Sequence, residues 1–373
     1  MKAVGIILAG GNHKRMKELS NKRAIAALPI AGTYRSIDFA LSNMTNSGIS
    51  RVAVLTQYNA KSLCEHLNSS KWWNFGRKQG GLFVMTPTIT PDNSNWFRGT
   101  ADSIYQNIHF LKESHEPYVV IASGDGIYKM DYEEVLQYHI NKRADITMVC
   151  KDMGEFPNLD RFGQVRTAED GRVMDIDEKP ITVTSNIVSC GIYIIRRRLL
   201  IELLETAAAE ERYDFVRDIL IRYRYQKKIY AYKLETFWSN ISSIQSYYNT
   251  NMDFLRKDVR DYFFKEGNPI FSKADDLPPA KYNPGSHVKN SLVASGSIIN
   301  GQVENSVIFK DSFIGSNCII RNSIILNDVY ICDNSIIENC IVESHCTIKA
   351  GSSYTGSQDD IKIVLEQNER YNM

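Results

Sequence analysis

A short unit recurs through the last quarter of this 373-residue chain. It reads Asn290-Ser291-Leu292-Val293, Asn305-Ser306-Val307-Ile308, Asn322-Ser323-Ile324-Ile325 and Asn339-Cys340-Ile341-Val342, at spacings of 15, 17 and 17 residues. Offset copies, Asp311-Ser312-Phe313-Ile314 and Asn334-Ser335-Ile336-Ile337, lie between them. Aliphatic residues therefore return every five or six positions, three steps to each long period. Neither a helix nor a hairpin sheet keeps that period. A parallel β-helix does, because each coil has three short sides with an inward aliphatic residue on each. The Asn, Ser and Gly positions then fall at the corners. Residues 286–352 hold 21 Ile, Val or Leu among 67, and no proline, so interior coils keep the N–H groups their ladders need. All ten prolines of the chain lie at or before Pro284.

Residues 1–250 follow another pattern. Val4-Gly5-Ile6-Ile7-Leu8-Ala9, Arg51-Val52-Ala53-Val54-Leu55-Thr56, Tyr118-Val119-Val120-Ile121-Ala122 and Ala144 to Cys150 are apolar runs of strand length. Runs without alternation predict strands buried on both faces. Asp38 to Ser47 and Asp131 to Lys142 predict helices. In the second, Asp131 is the N-cap, with Glu133 and Glu134 in the first turn. Strand–helix alternation predicts an α/β domain with a mainly parallel sheet. Pro278-Pro279 and Asn283-Pro284-Gly285 break the pattern. The expected organisation is a Rossmann-like domain over 1–250, a linker over 251–285 and a β-helix with a tail over 286–373.

Composition excludes several roles. Lys and Arg total 44 and Asp and Glu 43, a net charge of +1, so no electrostatic case exists for nucleic acid or an anionic membrane. The cluster Arg222-Tyr223-Arg224-Tyr225-Gln226-Lys227-Lys228 reads as a solvated helix end rather than a nucleic-acid surface. No apolar run reaches the length of a membrane span. The first residues run straight into a strand with no signal-peptide cleavage site. Seven cysteines without CxxC spacing fit reduced, buried thiols and a cytoplasmic location better than disulfides or zinc.

Four motifs could carry chemistry. Leu8-Ala9-Gly10-Gly11-Asn12-His13-Lys14-Arg15 follows the first strand, where glycine N–H groups and an Arg can cradle phosphates, or simply make a tight turn. Ser123-Gly124-Asp125-Gly126-Ile127-Tyr128 follows another strand. Its Asp125 can hold a divalent metal outside the carboxyl end of the sheet, or cap a turn. Asp177-Glu178-Lys179-Pro180, followed by Ser189-Cys190-Gly191, can clamp a sugar phosphate or form a solvated charged turn. Trp96-Phe97-Arg98-Gly99-Thr100-Ala101-Asp102 can edge a ligand or pack as a loop.

In this order the motifs resemble the nucleotidyltransferases that make ADP-glucose, the glucose-1-phosphate adenylyltransferases. The resemblance also rests on Asn21-Lys22-Arg23-Ala24, Tyr34 to Asn43, Asn46 to Ile49, Val54 to Tyr58 and Ile127 to Tyr132. It implies a C-terminal left-handed β-helix, tetramers, and attack by the phosphate of glucose 1-phosphate on the α-phosphate of ATP. Such chemistry rests on positioning and charge stabilisation. By resemblance, Gly10, Gly11, Gln57, Gly99 and Thr100 bind nucleotide. Glu178, Lys179, Ser189, Gly191 and Asp214 bind the sugar phosphate, with Phe215 and Trp238 beside them. Arg15, Asp125 and Lys179 are catalytic, and Asp125 is a ligand of Mg²⁺.

The chain departs from the family pattern at several ligand positions. Asn12 and His13 replace an Arg and a Gly of the phosphate loop. Ile25 stands where the family has a Lys. Thr88-Ile89-Thr90 stands for a Gln-containing base-reading stretch, and Phe97 for a Tyr. The second metal Asp is replaced by Asn240, a neutral ligand for an ion that prefers carboxylates. This pattern resembles the D-type subunit of Gram-positive bacteria. It implies a regulatory, catalytically weak or silent chain paired with a catalytic subunit in a hetero-oligomer, with Mg²⁺ binding in doubt. Glucose 1-phosphate and ATP or ADP-glucose remain possible ligands. The alternatives are an active sugar-phosphate nucleotidyltransferase and a β-helix scaffold or sugar-phosphate-binding protein without turnover.

Overall fold

The computed structural model describes residues 1–11, 14–76, 80–89, 95–154 and 159–365. They divide into two compact units. One comprises Met1–Asn12, Ala24–Ala26 and Phe39–Trp238; the other comprises His13–Arg23, Ala27–Asp38 and Ser239–Met373.

The first unit is built on a nine-stranded sheet. Its strands are β1 (Ala3–Leu8), β2 (Arg51–Leu55), β3 (Gly81–Met85), β4 (Tyr118–Ser123), β5 (Ile146–Asp152), β6 (Gly163–Thr167), β7 (Val173–Glu178), β8 (Ile187–Arg196) and β9 (Ile229–Lys233). The order is β7-β6-β8-β4-β1-β2-β3, with β5 pairing β8 and β9. The centre, β4-β1-β2-β3, is parallel. Ile6 stands opposite Ala53 on one side and Ile121 on the other. Both alternating sets of β1 are buried, Val4 and Ile6 as well as Ile7, which is why the run reads as continuously apolar. The sheet is mixed beyond its parallel centre: β8 runs antiparallel to β4, β5 and β6. On one face Val4, Ile6, Val119 and Ile121 pack with Leu200, Leu203 and Leu204 of the helix Arg197–Ala209, and with Phe215 and Ile219.

Two runs that carry the family resemblance meet each other in this unit. Helix α1 (Ser36–Asn46) presents Asn43, whose amide donates to Tyr128 O at 3.0 Å and accepts from Met130 N at 3.2 Å. Ser47 Oγ accepts from Tyr132 N at 2.8 Å. Tyr128 and Tyr132 share a buried hydroxyl pair at 2.6 Å. Asp131 caps α2 (Tyr132–Asn141) by accepting from Glu133 N at 2.8 Å. The side chains of these runs are therefore committed to buried backbone rather than presented to solvent.

In the second unit, residues 281–364 form three five-stranded parallel sheets. The register is continuous, for example Val303 opposite Ile320 and Ile320 opposite Ile337. Ile299, Ile314, Ile331 and Ile348 fill one inner column, and Val303, Ile320 and Ile337 another. This is the parallel β-helix that the repeat predicts. Asn290, Asn305, Asn322 and Asn339 take positive φ, from 44° to 52°, which Asn tolerates better than most residues. The serines differ from the corner expectation. Ser306 and Ser323 are fully buried and form a ladder, in which Ser306 N donates to Ser291 Oγ, Ser323 N to Ser306 Oγ and Cys340 N to Ser323 Oγ, at 3.1 to 3.2 Å.

The segment expected to be a linker is structured at its start. Helix α3 (Ile244–Asp253) begins with a capping box between Ser243 and Ser246, and α4 (Lys257–Phe264) follows. The division between units is not a single cut at 251–285. Helix α3 draws an earlier segment to itself, because Tyr247 Oη donates to Pro29 O at 2.7 Å and Asn251 Oδ1 accepts from Ala31 N at 3.0 Å. Tyr248 Oη also reaches Asn322 O in the β-helix, at 2.7 Å. Among the described residues no helix is long and apolar enough to cross a membrane. All seven cysteines are free, five of them buried. Burial pushes the Cys150 thiol up to about 12, which makes it inert.

Candidate active site

The glycine turn and the Asp125 turn lie side by side. Ala9 N donates to Leu55 O at 2.8 Å, and Gly124 N donates to Leu8 O at 2.9 Å. A β-carbon on Gly124 would sit 3.2 Å from Ala26 Cβ and 3.4 Å from Ala9 Cβ. Ser123 Oγ donates to Asp125 Oδ1 at 2.5 Å, which holds the carboxylate at the strand end. Gly10 has ordinary space around it: a β-carbon there would lie 3.5 Å from Gln57 Cγ, so packing alone does not require glycine. Gly11 is exposed. Asn12, His13 and Thr90 lie outside the described residues. Ile25 is only 3% exposed, between buried Ala24 and Ala26. The Gly124 side of the Asp125 turn thus packs against the hydrocarbon of Ala9 and Ala26.

The sugar-phosphate candidates converge on the same turn. Gly191 has φ +70° at a register shift in β8, and a β-carbon there would lie 3.2 Å from Ser123 Cβ. Gly191 N donates to Ser189 Oγ at 3.3 Å, and that oxygen pairs with Tyr193 Oη at 3.2 Å. Glu178 stands opposite Gly163, where a β-carbon would come within 2.9 Å of Glu178 Oε2 and 3.8 Å of Ser189 Cβ. Gly163 therefore makes room for the carboxylate. Lys179 Nζ lies 3.2 Å from Glu178 Oε1, with its side chain 58% exposed and its backbone at φ +50°. Such a conformation in a non-glycine residue is strained. Asp125, Gly191, Ser189, Glu178 and Lys179 thus form one contiguous strip.

Sequence reasoning gave no role to Gly163 or Tyr193. Their signals were modest: a glycine after Phe162, and a tyrosine two residues past Gly191. Burial pushes the Tyr193 phenol well above its ordinary range, so it stays a neutral hydrogen-bonding group. The Trp238 indole is buried, with Nε1 without a partner among the described residues, 3.8 Å from where a Gly126 β-carbon would be.

The nucleotide candidates are largely committed to structure. Gln57 grips the backbone of Phe97 with both ends of its amide, Nε2 to Phe97 O at 3.3 Å and Phe97 N to Oε1 at 3.1 Å. The Trp96-Phe97 motif splits, with Phe97 buried and Trp96 63% exposed and stacked on Tyr58 at 6.3 Å. Gly99 is required, because a β-carbon would lie 2.3 Å from Tyr213 O. That carbonyl accepts from Ala101 N and Asp102 N at 2.8 and 3.1 Å, while Thr100 Oγ1 accepts from Phe215 N at 2.9 Å. The Arg98 guanidinium stacks 3.8 Å over the Tyr213 ring. Residues 98–102 are a brace that fixes Tyr213 to Phe215. Asp214 Oδ1 accepts from Arg217 N at 2.8 Å and so caps its own helical turn.

Two candidates belong to the other unit. Arg15 is exposed in the Lys14–Ser20 segment, and Asn240 ends the strand Trp238–Asn240. Among the described residues no group of three or more His, Cys, Asp or Glu side chains could hold a metal.

A nucleotidyl transferase model matches residues 4–257, and a GlmU-like, C-terminal hexapeptide model matches residues 278–360. Fold and models together define a nucleotidyltransferase domain followed by a left-handed hexapeptide β-helix. The relatives narrow this. The chain is 40% identical over 320 residues to a glucose-1-phosphate adenylyltransferase of Clostridium acetobutylicum, covering 85% of this chain and 84% of that one. It is 37% identical over 322 residues to that of Pseudothermotoga lettingae, covering 86% and 76%. It is 36% identical over 322 residues to that of Geobacillus stearothermophilus, covering 86% and 83%. The chain belongs to the glucose-1-phosphate adenylyltransferase family.

Proposed function

We propose that this chain is a regulatory subunit of glucose-1-phosphate adenylyltransferase, weak or silent in making ADP-glucose from ATP and glucose 1-phosphate. It would serve glycogen biosynthesis in the cytoplasm, in a hetero-oligomer with a catalytic subunit, as a tetramer. The observation that carries the reading is Ile25. Its side chain is buried hydrocarbon, and the neighbouring Ala26 lies against the Gly124–Asp125 turn. A triphosphate needs cations there. Asn240 supports the same reading by removing a carboxylate from the metal set. Phosphoryl transfer without its metal and its cations loses most of its charge stabilisation.

The sugar-phosphate strip favours retained binding of glucose 1-phosphate. Glu178, Lys179, Ser189 and Gly191 keep the residue types of the family and are contiguous. A second reading, an active enzyme, draws on the same strip and on the relatives' shared name. Mixing separates the two. The chain is titrated into a catalytic subunit of the family, and the assembly is followed by light scattering and by initial rate. The proposal expects a mixed tetramer whose rate or effector response differs from that of the catalytic subunit alone. Two species that never associate, with additive rates, would overturn it.

A further inference from the structure

The Lys14–Arg23 segment leaves the glycine turn and belongs to the same compact unit as the β-helix. It is an irregular piece of chain. Lys17 breaks the helical turns at φ 44°, ψ −127°, a conformation a non-glycine residue holds only when its surroundings fix it. Met16 and Leu19 are fully buried and supply apolar anchorage. The last residue of the segment supplies another kind.

Arg23 forms an ion pair with Glu343, at the corner that follows the strand Cys340–Val342. The two side chains are 12% and 4% exposed. Arg23 Nη1 also donates to Ser344 Oγ at 3.3 Å. Glu343 Oε1 accepts from Ser344 N at 2.8 Å, and Glu343 N donates to Val364 O at 3.0 Å. The carboxylate is therefore held in place by its own coil and does not reach out as a flexible surface charge would. Burying such a pair is costly, and leaving either partner alone costs more. Its worth lies in fixing geometry over a sequence separation of 320 residues.

We propose that Arg23–Glu343 is a positioning latch. Through it the closing coil of the β-helix holds the strained Lys14–Arg23 segment in place. The latch has two states, paired with an ordered segment and unpaired with a relaxed one. A change at the coil is thereby felt in the Lys14–Arg23 segment.

Amide hydrogen exchange on the full chain tests this. Glu343→Gln and Arg23→Gln should each speed exchange in residues 14–23 by about tenfold or more, while the strands around Ile320 and Ile337 keep wild-type protection. The charge swap, Arg23→Glu with Glu343→Arg, should recover protection in 14–23. If either neutral variant fails to fold, Glu343→Asp replaces it, with the charge kept and the reach shortened, and the same local loosening is expected. Unchanged exchange in 14–23, or equal acceleration across the whole chain, would overturn the latch. So would a folded charge swap that restores nothing.

Discussion

Ile25 and Gly99 show how single residues define this site from opposite directions. At Ile25 the proposed reading finds a cation replaced by buried hydrocarbon, and at Gly99 a side chain is absent. The Gly99 case is steric and can be measured on the isolated chain. Gly99→Ala puts a methyl group 2.3 Å from Tyr213 O, so the brace must shift. We expect a loss of about 2–4 kcal/mol in urea unfolding, with the Tyr213–Phe215 region most affected. A loss below about 0.5 kcal/mol, the scale of an ordinary surface change, would mean that the brace yields freely. The charge case is tested by Asn240→Asp. If the missing carboxylate limits turnover, ADP-glucose formation should rise; if the site already works, it should change little. The metal set is worth on the order of a thousandfold in rate. Ile25 remains in place, so the gain should fall short of that.

Two elements carry testable energetics. In the β-helix, Ser323 Oγ accepts from Cys340 N at 3.2 Å and donates to Arg321 O at 2.6 Å. Ser323→Ala removes the hydroxyl and leaves a buried N–H without its acceptor. We expect about 1–3 kcal/mol of destabilisation in guanidinium unfolding, and Ser323→Thr should recover part of it. In α2, His139 is buried against the Tyr118 ring with Nδ1 on Thr147 Oγ1 at 2.9 Å. Its Nε2 has no partner among the described residues. Burial, with the Arg196 charge as a further cause, lowers its pKa from 6.5 to about 4. The folded state therefore favours the neutral ring. Its stabilising contribution is complete above pH 6.5 and is lost as pH falls through 6.5 toward 4. Protonating the unfolded ring first should cost up to about 3 kcal/mol over that range. His139→Gln should flatten the pH dependence of the unfolding midpoint between pH 7 and pH 4; an unchanged slope would assign the acid sensitivity elsewhere.

These same elements show what was legible in the chain. The β-helix could be read because its period is written in every coil, and one inward aliphatic per side is enough to fix it. The central strands could be read because burial on both faces leaves no polar position in the run. The antiparallel β8 could not, since an apolar strand carries no mark of direction. The candidate site was legible as a set of motifs but not as a division of labour. Asn43 and Thr100 are polar, clustered and near glycines, as ligand-binding residues would be, yet they bind buried backbone. Gly163 makes room for Glu178 across a β-ladder, a contact that no local spacing announces.

For the whole molecule, the family fold is intact, and the proposed reading rests on charge missing at the positions the resemblance assigns to ligands. The β-helix ladders, the α1–Tyr128 contacts and the brace at Gly99 all hold the architecture, and none needs turnover to persist. On that reading the chain would keep assembling and keep its sugar-phosphate strip without its own turnover. Its influence would then pass through contacts with a catalytic partner. The decisive measurement is the rate of ADP-glucose formation by this chain alone, purified free of any related subunit, with saturating ATP, glucose 1-phosphate and Mg²⁺. We expect a turnover at least about a thousandfold below the usual enzyme range of roughly 1–10³ s⁻¹. A turnover inside that range would contradict the regulatory assignment outright.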